Sequence, residues 1–143
     1  MTLFGQDRRA LRAVWRGAWR KHRAGLPLEP LEAQLADLVA IHPEYHGALE
    51  DEDPDREWTP ELGQGNPFMH LGLHAAVRDG LATDRPKGLR AAYHEIVARS
   101  RDAHEAEHVL LECLGETLWE AQRNGLPPDE GAYLARVQRL AGR

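Results

Sequence analysis

The chain has 143 residues, of which 42% are apolar and 29% charged, a composition that excludes disordered and fibrous classes and favours one globular domain over residues 1–143. No apolar run is long enough to cross a membrane, and the amino terminus lacks the order of a secretion signal. The single cysteine, Cys113, excludes an internal disulfide and fits a reducing compartment, so a cytoplasmic protein without a membrane partner is expected.

The first predicted helix covers residues 7–24 and is strongly basic, although the net charge of the chain is −5. Apolar side chains repeat along one face, and arginines share the other. Those arginines are Arg8, Arg9, Arg12, Arg16, Arg20 and Arg23. We interpret the segment as a core-facing helix with a solvated basic side. The alternative is an interaction domain whose basic helix contacts an anionic partner. Nucleic acid is the less favoured partner, because only Trp19 borders the arginine face for base stacking.

A second helix is predicted from Pro30 to about residue 42, since proline suits the first turn of a helix and Pro43 ends this one. One or two further helical turns are expected over residues 43–49. His46 lies there and is an additional candidate metal ligand, on the metal-binding preference of histidine alone. Residues 50–65 are acidic and contain prolines and glycines, which predicts a long irregular loop.

Asn66 and Pro67 form a helix start signal, with asparagine as the N-cap and proline at the first helical position. The helix is predicted to reach about residue 81. Its apolar stripe includes His70 and His74, so both imidazoles are expected on the core-facing side. Another helix is predicted over residues 86–99, with His94 at the surface.

The longest predicted helix covers residues 103–124, with Asp102 as an N-cap and Gly125 at its end. His104, Glu105 and His108 form an H-E-x-x-H motif in its first turns. The inward stripe is expected to continue through Leu111, Gly115, Leu118, Trp119 and Gln122. A last helix over residues 129–140 completes an all-α fold, a compact bundle of about five or six helices.

Two histidine pairs at helical i,i+4 spacing are the strongest functional signal. Buried polar groups that lack partners cost about 1–3 kcal/mol each, so either mutual hydrogen bonds or a metal must satisfy these imidazoles. Two imidazoles one helical turn apart can bind the same ion. We therefore predict a metal site in which the two pairs face each other, with satisfied core histidines as the alternative. The predicted ligands are His70, His74, His104 and His108.

Zinc is the first choice of metal, with iron or manganese as alternatives. Four imidazoles would close a tetrahedral zinc site, whereas three would leave a position for water and give Glu105 the role of general base. A metal-dependent hydrolase acting on a small-molecule substrate is one interpretation of that arrangement. Glu112 is a further candidate ligand, and a di-iron site with carboxylate or histidine ligands stays open. Cys113 is expected to point nearly opposite the histidines and is excluded as a ligand.

Five short motifs follow one another between about residues 15 and 128. They are Trp-Arg-Lys-His-Arg-Ala-Gly at residues 19–25, His-Pro-Glu-Tyr-His at 42–46, Asn-Pro-Phe-Met-His-Leu-Gly-Leu-His at 66–74, His-Glu-Ala-Glu-His at 104–108 and Glu-Cys-Leu-Gly-Glu at 112–116. In these motifs and their order the chain resembles a family of small bacterial proteins known as domain of unknown function 1841. The resemblance implies a small helical bacterial protein, and it implies no activity and no catalytic residue.

Overall fold

The computed structural model describes residues 8–51 and 66–142, and these form seven α-helices and one 3₁₀ helix, with no strand among them. The helices are α1 (Arg8–Arg23), α2 (Pro30–Ala40), α3 (His46–Glu50), α4 (Pro67–Thr83), α5 (Leu89–Val97), α6 (Ala103–Asn124) and α7 (Glu130–Leu140), and the 3₁₀ helix is Pro43–Tyr45. The predicted all-α class is confirmed. The described residues contain seven α-helices, slightly more than the expected five or six, because the helical turns expected over residues 43–49 include a separate short helix, α3.

The chain divides into two compact units, Met1–Ala75 and Ala76–Arg143. In the first unit α1 packs against α2 and α3. Its core is centred on Trp15, Leu35 and Leu38, each at most 2% exposed. Phe68 and Leu71 of α4 belong to the same cluster. The burial of these apolar side chains therefore holds the first half of α4 within the unit that contains α1 and α2.

In the second unit α5, α6 and α7 pack against one another. Leu89, Leu110 and Val137, one from each helix, are fully buried at 0% exposure. Asp102 caps α6 as predicted, because its side chain accepts a hydrogen bond from the backbone of Glu105 at 2.8 Å. Among the described residues, no helix combines the length and the apolar character needed to cross a membrane.

The start of α5 differs from the prediction by about three residues. The carboxylate of Asp84 accepts hydrogen bonds from the backbone N–H groups of Gly88 and Arg90, at 3.3 and 2.9 Å. Gly88 adopts the left-handed conformation with a φ of 100°, which a side chain would disfavour. This turn replaces the expected first turn of the helix, so α5 begins at Leu89 and not near residue 86.

Arg12 was predicted on the solvated basic face of α1, and this prediction is wrong. Its side chain is only 2% exposed, and its guanidinium lies 5.1 Å from the centre of the Phe68 ring. A guanidinium over an aromatic face is stabilised by the quadrupole of the ring, and its methylenes can pack in the core. Arg12 therefore belongs to the interior of the first unit and not to a solvated surface.

The buried side of α6 also differs from the predicted one. Trp119, expected to face inward, is 57% exposed, and the guanidinium of Arg123 lies 5.1 Å from its ring centre. Cys113, expected to point outward, is only 4% exposed. The buried residues of α6 are Ala106, Glu107, Leu110, Leu111, Cys113 and Thr117. His104 and His108 are half-buried at the edge of this face. The acidic loop predicted at residues 50–65 lies outside the described residues from residue 52 onward.

Candidate metal centre

The carboxyl end of α2 positions His42. Pro43 disfavours a helical backbone at the residue before it, and His42 has φ −123° and ψ 68°, outside the helical region. Its ring turns back onto α2, where Nδ1 lies 2.7 Å from the carbonyl oxygen of Leu38. That carbonyl is one of the last four of the helix, which have no regular i+4 partner within the helix itself. The imidazole thus completes the hydrogen bonding of the helix end, and it is itself fully buried.

The contact with Leu38 fixes the tautomer of His42. A carbonyl oxygen can only accept, so Nδ1 must carry the proton that it donates. In the neutral imidazole, Nε2 then carries a lone pair. Nε2 is the atom that faces His70, whose own Nε2 lies 3.2 Å away. Metal-bound histidines commonly donate their second ring N–H to a carbonyl in this way, which orients the ring and raises the basicity of the ligand atom.

The first half of α4 supplies the other two imidazoles of the first unit. Asn66 caps the helix as predicted, because its side-chain oxygen accepts from the backbone N–H groups of Phe68 and Met69 at 3.0 and 3.2 Å. His70 and His74 are one turn apart, with ring centres 5.8 Å from each other. His74 is fully buried and His70 is half-buried. The predicted inward position of this pair on α4 is therefore confirmed.

His42, His70 and His74 form the candidate metal centre of the first unit. The ring centre of His42 lies 4.9 Å from that of His70 and 5.1 Å from that of His74. One ring nitrogen of each residue lies within 4.8 Å of a ring nitrogen of the other two. Three nitrogen ligands of one ion at bond lengths of about 2.0–2.1 Å lie some 3–4 Å apart, so a small inward shift would suffice for coordination. The group could hold a metal ion.

Tyr45 covers one side of these imidazoles. Its ring is stacked on that of His42 at 5.5 Å and meets that of His70 edge-on at 5.4 Å. Burial, and to a lesser degree the charge of Glu44, raises the pKa of Tyr45, so the phenol is protonated at neutral pH. A protonated phenol next to the imidazoles is a hydrogen-bond donor and excludes water from part of the group.

His46, an additional candidate ligand from the sequence, lies outside the three-histidine group. Its Nε2 is 2.9 Å from the carbonyl oxygen of Val39, so this nitrogen donates a hydrogen bond to a second carbonyl at the end of α2. Its ring packs on the indole of Trp19, with centres 4.5 Å apart. These contacts give His46 a role in ending α2 and in covering the core.

The second predicted pair belongs to the second unit. The rings of His104 and His108 lie one turn apart on α6, with centres 4.2 Å from each other. Glu107, which the sequence analysis did not single out, is 7% exposed, and Arg78 binds its carboxylate through Nε at 2.8 Å and Nη2 at 3.4 Å. One carboxylate oxygen of Glu107 and one ring nitrogen of His104 lie within 4.8 Å. The predicted four-histidine site takes one pair from each unit, and it stays a prediction.

Three other residues of α6 were considered as a base or as ligands: Glu105, Glu112 and Cys113. The carboxylate of Glu105 accepts a hydrogen bond from Nε of Arg101 at 3.0 Å, in an exposed i,i+4 pair. Glu112 is exposed. Burial, with smaller contributions from nearby carboxylates, raises the pKa of the Cys113 thiol, which keeps it protonated and unreactive at neutral pH. The proposed base and the additional carboxylate ligand stay predictions.

His42 is the ligand candidate that the sequence analysis missed, although it quoted the motif His-Pro-Glu-Tyr-His. Its local signal was the proline that follows it, which removes the residue from the helix and leaves its ring free to turn. Glu107 occupies a position that the H-E-x-x-H motif leaves unspecified, so the motif itself does not single it out. Glu107 follows His104 by three residues, and that spacing places both on one face of the helix.

The comparisons with known proteins agree with the resemblance found in the motifs. The family model described as domain of unknown function (DUF1841) matches residues 7–139. Because this match covers nearly the whole chain, the protein belongs to that family. Neither the curated proteins nor the solved structures contain a significant match to the chain.

Proposed function

We propose that this member of the DUF1841 family is a metal-binding protein and that His42, His70 and His74 are ligands of its metal ion. The single observation that carries the proposal is the convergence of three ring nitrogens within 4.8 Å of one another. Its strongest support is the oriented state of His42, whose protonated Nδ1 is held by Leu38 while Nε2 faces His70. In the absence of metal the same lone pair accepts a hydrogen bond from Nε2 of His70 at 3.2 Å, and a bound ion would take the place of that proton.

Zinc is the metal that we propose first. All three donors are imidazole nitrogens, which suit zinc, copper, iron and nickel better than magnesium, calcium or manganese. Three imidazoles occupy three of the positions that zinc uses and leave another for water, substrate or a further ligand. The manganese alternative from the sequence would need oxygen donors, which these three residues do not supply, whereas iron stays an alternative to zinc.

Elemental analysis of tag-free protein, purified without chelators or added metal, tests this proposal. We expect about one equivalent of zinc in the wild-type protein and a loss of most of it in His42→Gln and His70→Gln. His94→Gln is the matched control, because His94 is an exposed histidine on α5. Circular dichroism verifies that each variant is folded. Wild-type protein without metal, or unchanged metal in both ligand variants, would refute the proposal.

The H-E-x-x-H motif adds a separate proposal for α6. His104 and His108 are proposed as a metal-binding pair on this helix, and His104→Gln in the same elemental analysis tests that assignment. A hydrolytic role requires a coordination position that the imidazole ligands leave to water, with Glu105 as the proposed base. Assays of simple esters, amides and phosphates should then detect zinc-dependent turnover that Glu105→Gln abolishes. Equal turnover in that variant would exclude Glu105 as the base.

A further inference from the structure

Four arginines of α1 line a second candidate site, which is separate from the histidines. A surface pocket of about 650 Å³ in the first unit is lined by Arg9, Arg16, Arg20 and Arg23, together with residues of α3 and its end. The intervals between these arginines are seven, four and three residues, which place them on one face of the helix. The sequence pattern therefore explains why the guanidinium groups meet in one cavity.

The charges in this pocket favour an anion. Two carboxylates, those of Glu50 and Asp51, line it beside the four guanidinium groups. Glu50 is already engaged, because it pairs with Arg23 at 2.9 Å and accepts a hydrogen bond from the indole N–H of Trp19 at 3.5 Å. The side chain of Arg20 is exposed and makes no ion pair with the residues that the structure describes. Arginine forms paired hydrogen bonds with phosphate oxygens, which makes phosphate the best matched anion.

The volume and the lining residues of the pocket favour a small-molecule ligand. A volume of about 650 Å³ is in the range of sites for small ligands and cofactors. Trp19 is 7% exposed, and the imidazoles of His22 and His46 lie 5.3 and 4.5 Å from its ring, so little aromatic surface is left for stacking a base. The carboxylates in the lining would repel a nucleic-acid backbone that continues past them. These features favour a small molecule over nucleic acid as the anionic partner expected for the basic helix.

We infer that this pocket binds a small molecule that carries a diphosphate or two phosphate groups, with Arg20 as its main contact. Arg23 is held by Glu50 and completes the wall. Recognition is by charge and by the planar geometry of the guanidinium groups, because the pocket offers few other polar groups to a ligand.

Calorimetric titration of the full chain with inorganic diphosphate at low ionic strength tests the inference, with sulfate at matched ionic strength as the reference anion. We expect saturable binding of diphosphate that Arg20→Gln weakens about tenfold, the loss expected for a charge-assisted hydrogen bond. Arg101→Gln is the matched control, since its side chain is 91% exposed and lies in the second unit, and it should change the affinity by less than about twofold.

A second variant separates this site from the metal. His74→Leu should bind diphosphate as the wild type does, because His74 is not part of the pocket. Loss of binding in His74→Leu but not in Arg20→Gln would assign the diphosphate to a bound metal and overturn the inference. Equal losses in Arg20→Gln and Arg101→Gln, or no binding to the wild type, would also overturn it. Binding of a single-stranded oligonucleotide that is tighter than that of diphosphate and is lost in Arg20→Gln would overturn the inference as well.

Discussion

Zinc-linked stability gives the sharpest test of the three-histidine group, with His74→Leu as the perturbation. A ligand that binds only the folded state stabilises it by about 2.7 kcal/mol at a free concentration 100 times its dissociation constant. For chains near this length, each kcal/mol raises the melting temperature by about 2–4 °C. The wild-type protein, first stripped with a chelator, should therefore gain about 5–10 °C on addition of zinc.

His74→Leu removes one nitrogen donor from a position with 0% exposure and introduces an apolar side chain of comparable size. We expect the gain from zinc to fall below about 2 °C, because loss of one ligand reduces the affinity by far more than tenfold. His94→Leu is the control, since this histidine is exposed. It should retain the full gain.

Tryptophan fluorescence can restrict this measurement to the first unit. Trp119 is 57% exposed, so Trp119→Phe should cost little stability. Every tryptophan that remains then belongs to the unit Met1–Ala75. Melting curves in this background report the unit that contains His42, His70 and His74. An undiminished gain from zinc in His74→Leu would refute the reasoning, because the stabilising zinc would then be bound without this ligand.

Other predictions test the supporting structure. Pro43→Ala keeps every ligand but permits α2 to continue, so zinc affinity measured by competition with a chelator should fall about 10–100-fold; unchanged affinity would contradict the role of the proline. Leu35→Ala, at 1% exposure, should cost about 2–5 kcal/mol in urea unfolding, whereas Leu31→Ala, at 47%, should cost under about 1 kcal/mol. Asp102→Ala should cost about 1 kcal/mol by the same measurement, through loss of the α6 cap. Because burial raises the pKa of Cys113, its alkylation at pH 8 should be slow until denaturant is added; rapid native alkylation would contradict its burial.

The limits of most helices could be predicted because local chemistry determines them. Asn66 and Asp102 act as N-caps, and Gly125 ends α6 with a φ of 65°. Each of these signals operates within one turn of the residue that carries it. The start of α5 could not be read in this way, since Asp84 reaches four and six residues ahead to the backbone of Gly88 and Arg90. That turn is a side-chain arrangement with no fixed sequence signature.

The orientation of α6 was harder to predict because both of its sides carry apolar residues. Trp119 was expected in the core because it falls on the periodic stripe that contains His104 and His108, but its ring lies at the surface, under Arg123. Ala106, Cys113 and Thr117 occupy the buried face. Leu110 and Leu111 lie on this face as well, so the packing of the second unit determines which side of α6 is buried. Periodicity alone does not contain that information.

The sequence predicted only part of the three-histidine group, namely the pair on α4, and did not predict His42. His70 and His74 are one turn apart, so helical geometry alone brings them together. His42 is 28 residues from His70 along the chain, and only the packing of the first unit joins them. The same imidazole satisfies the Leu38 carbonyl at the end of α2. Loss of this side chain would therefore leave a buried helix end without its donor and would also remove one ligand of the proposed metal ion. A change at Pro43 keeps the imidazole but alters the backbone that positions it. Such a variant therefore separates metal binding from the stability of the helix better than a change of His42 itself.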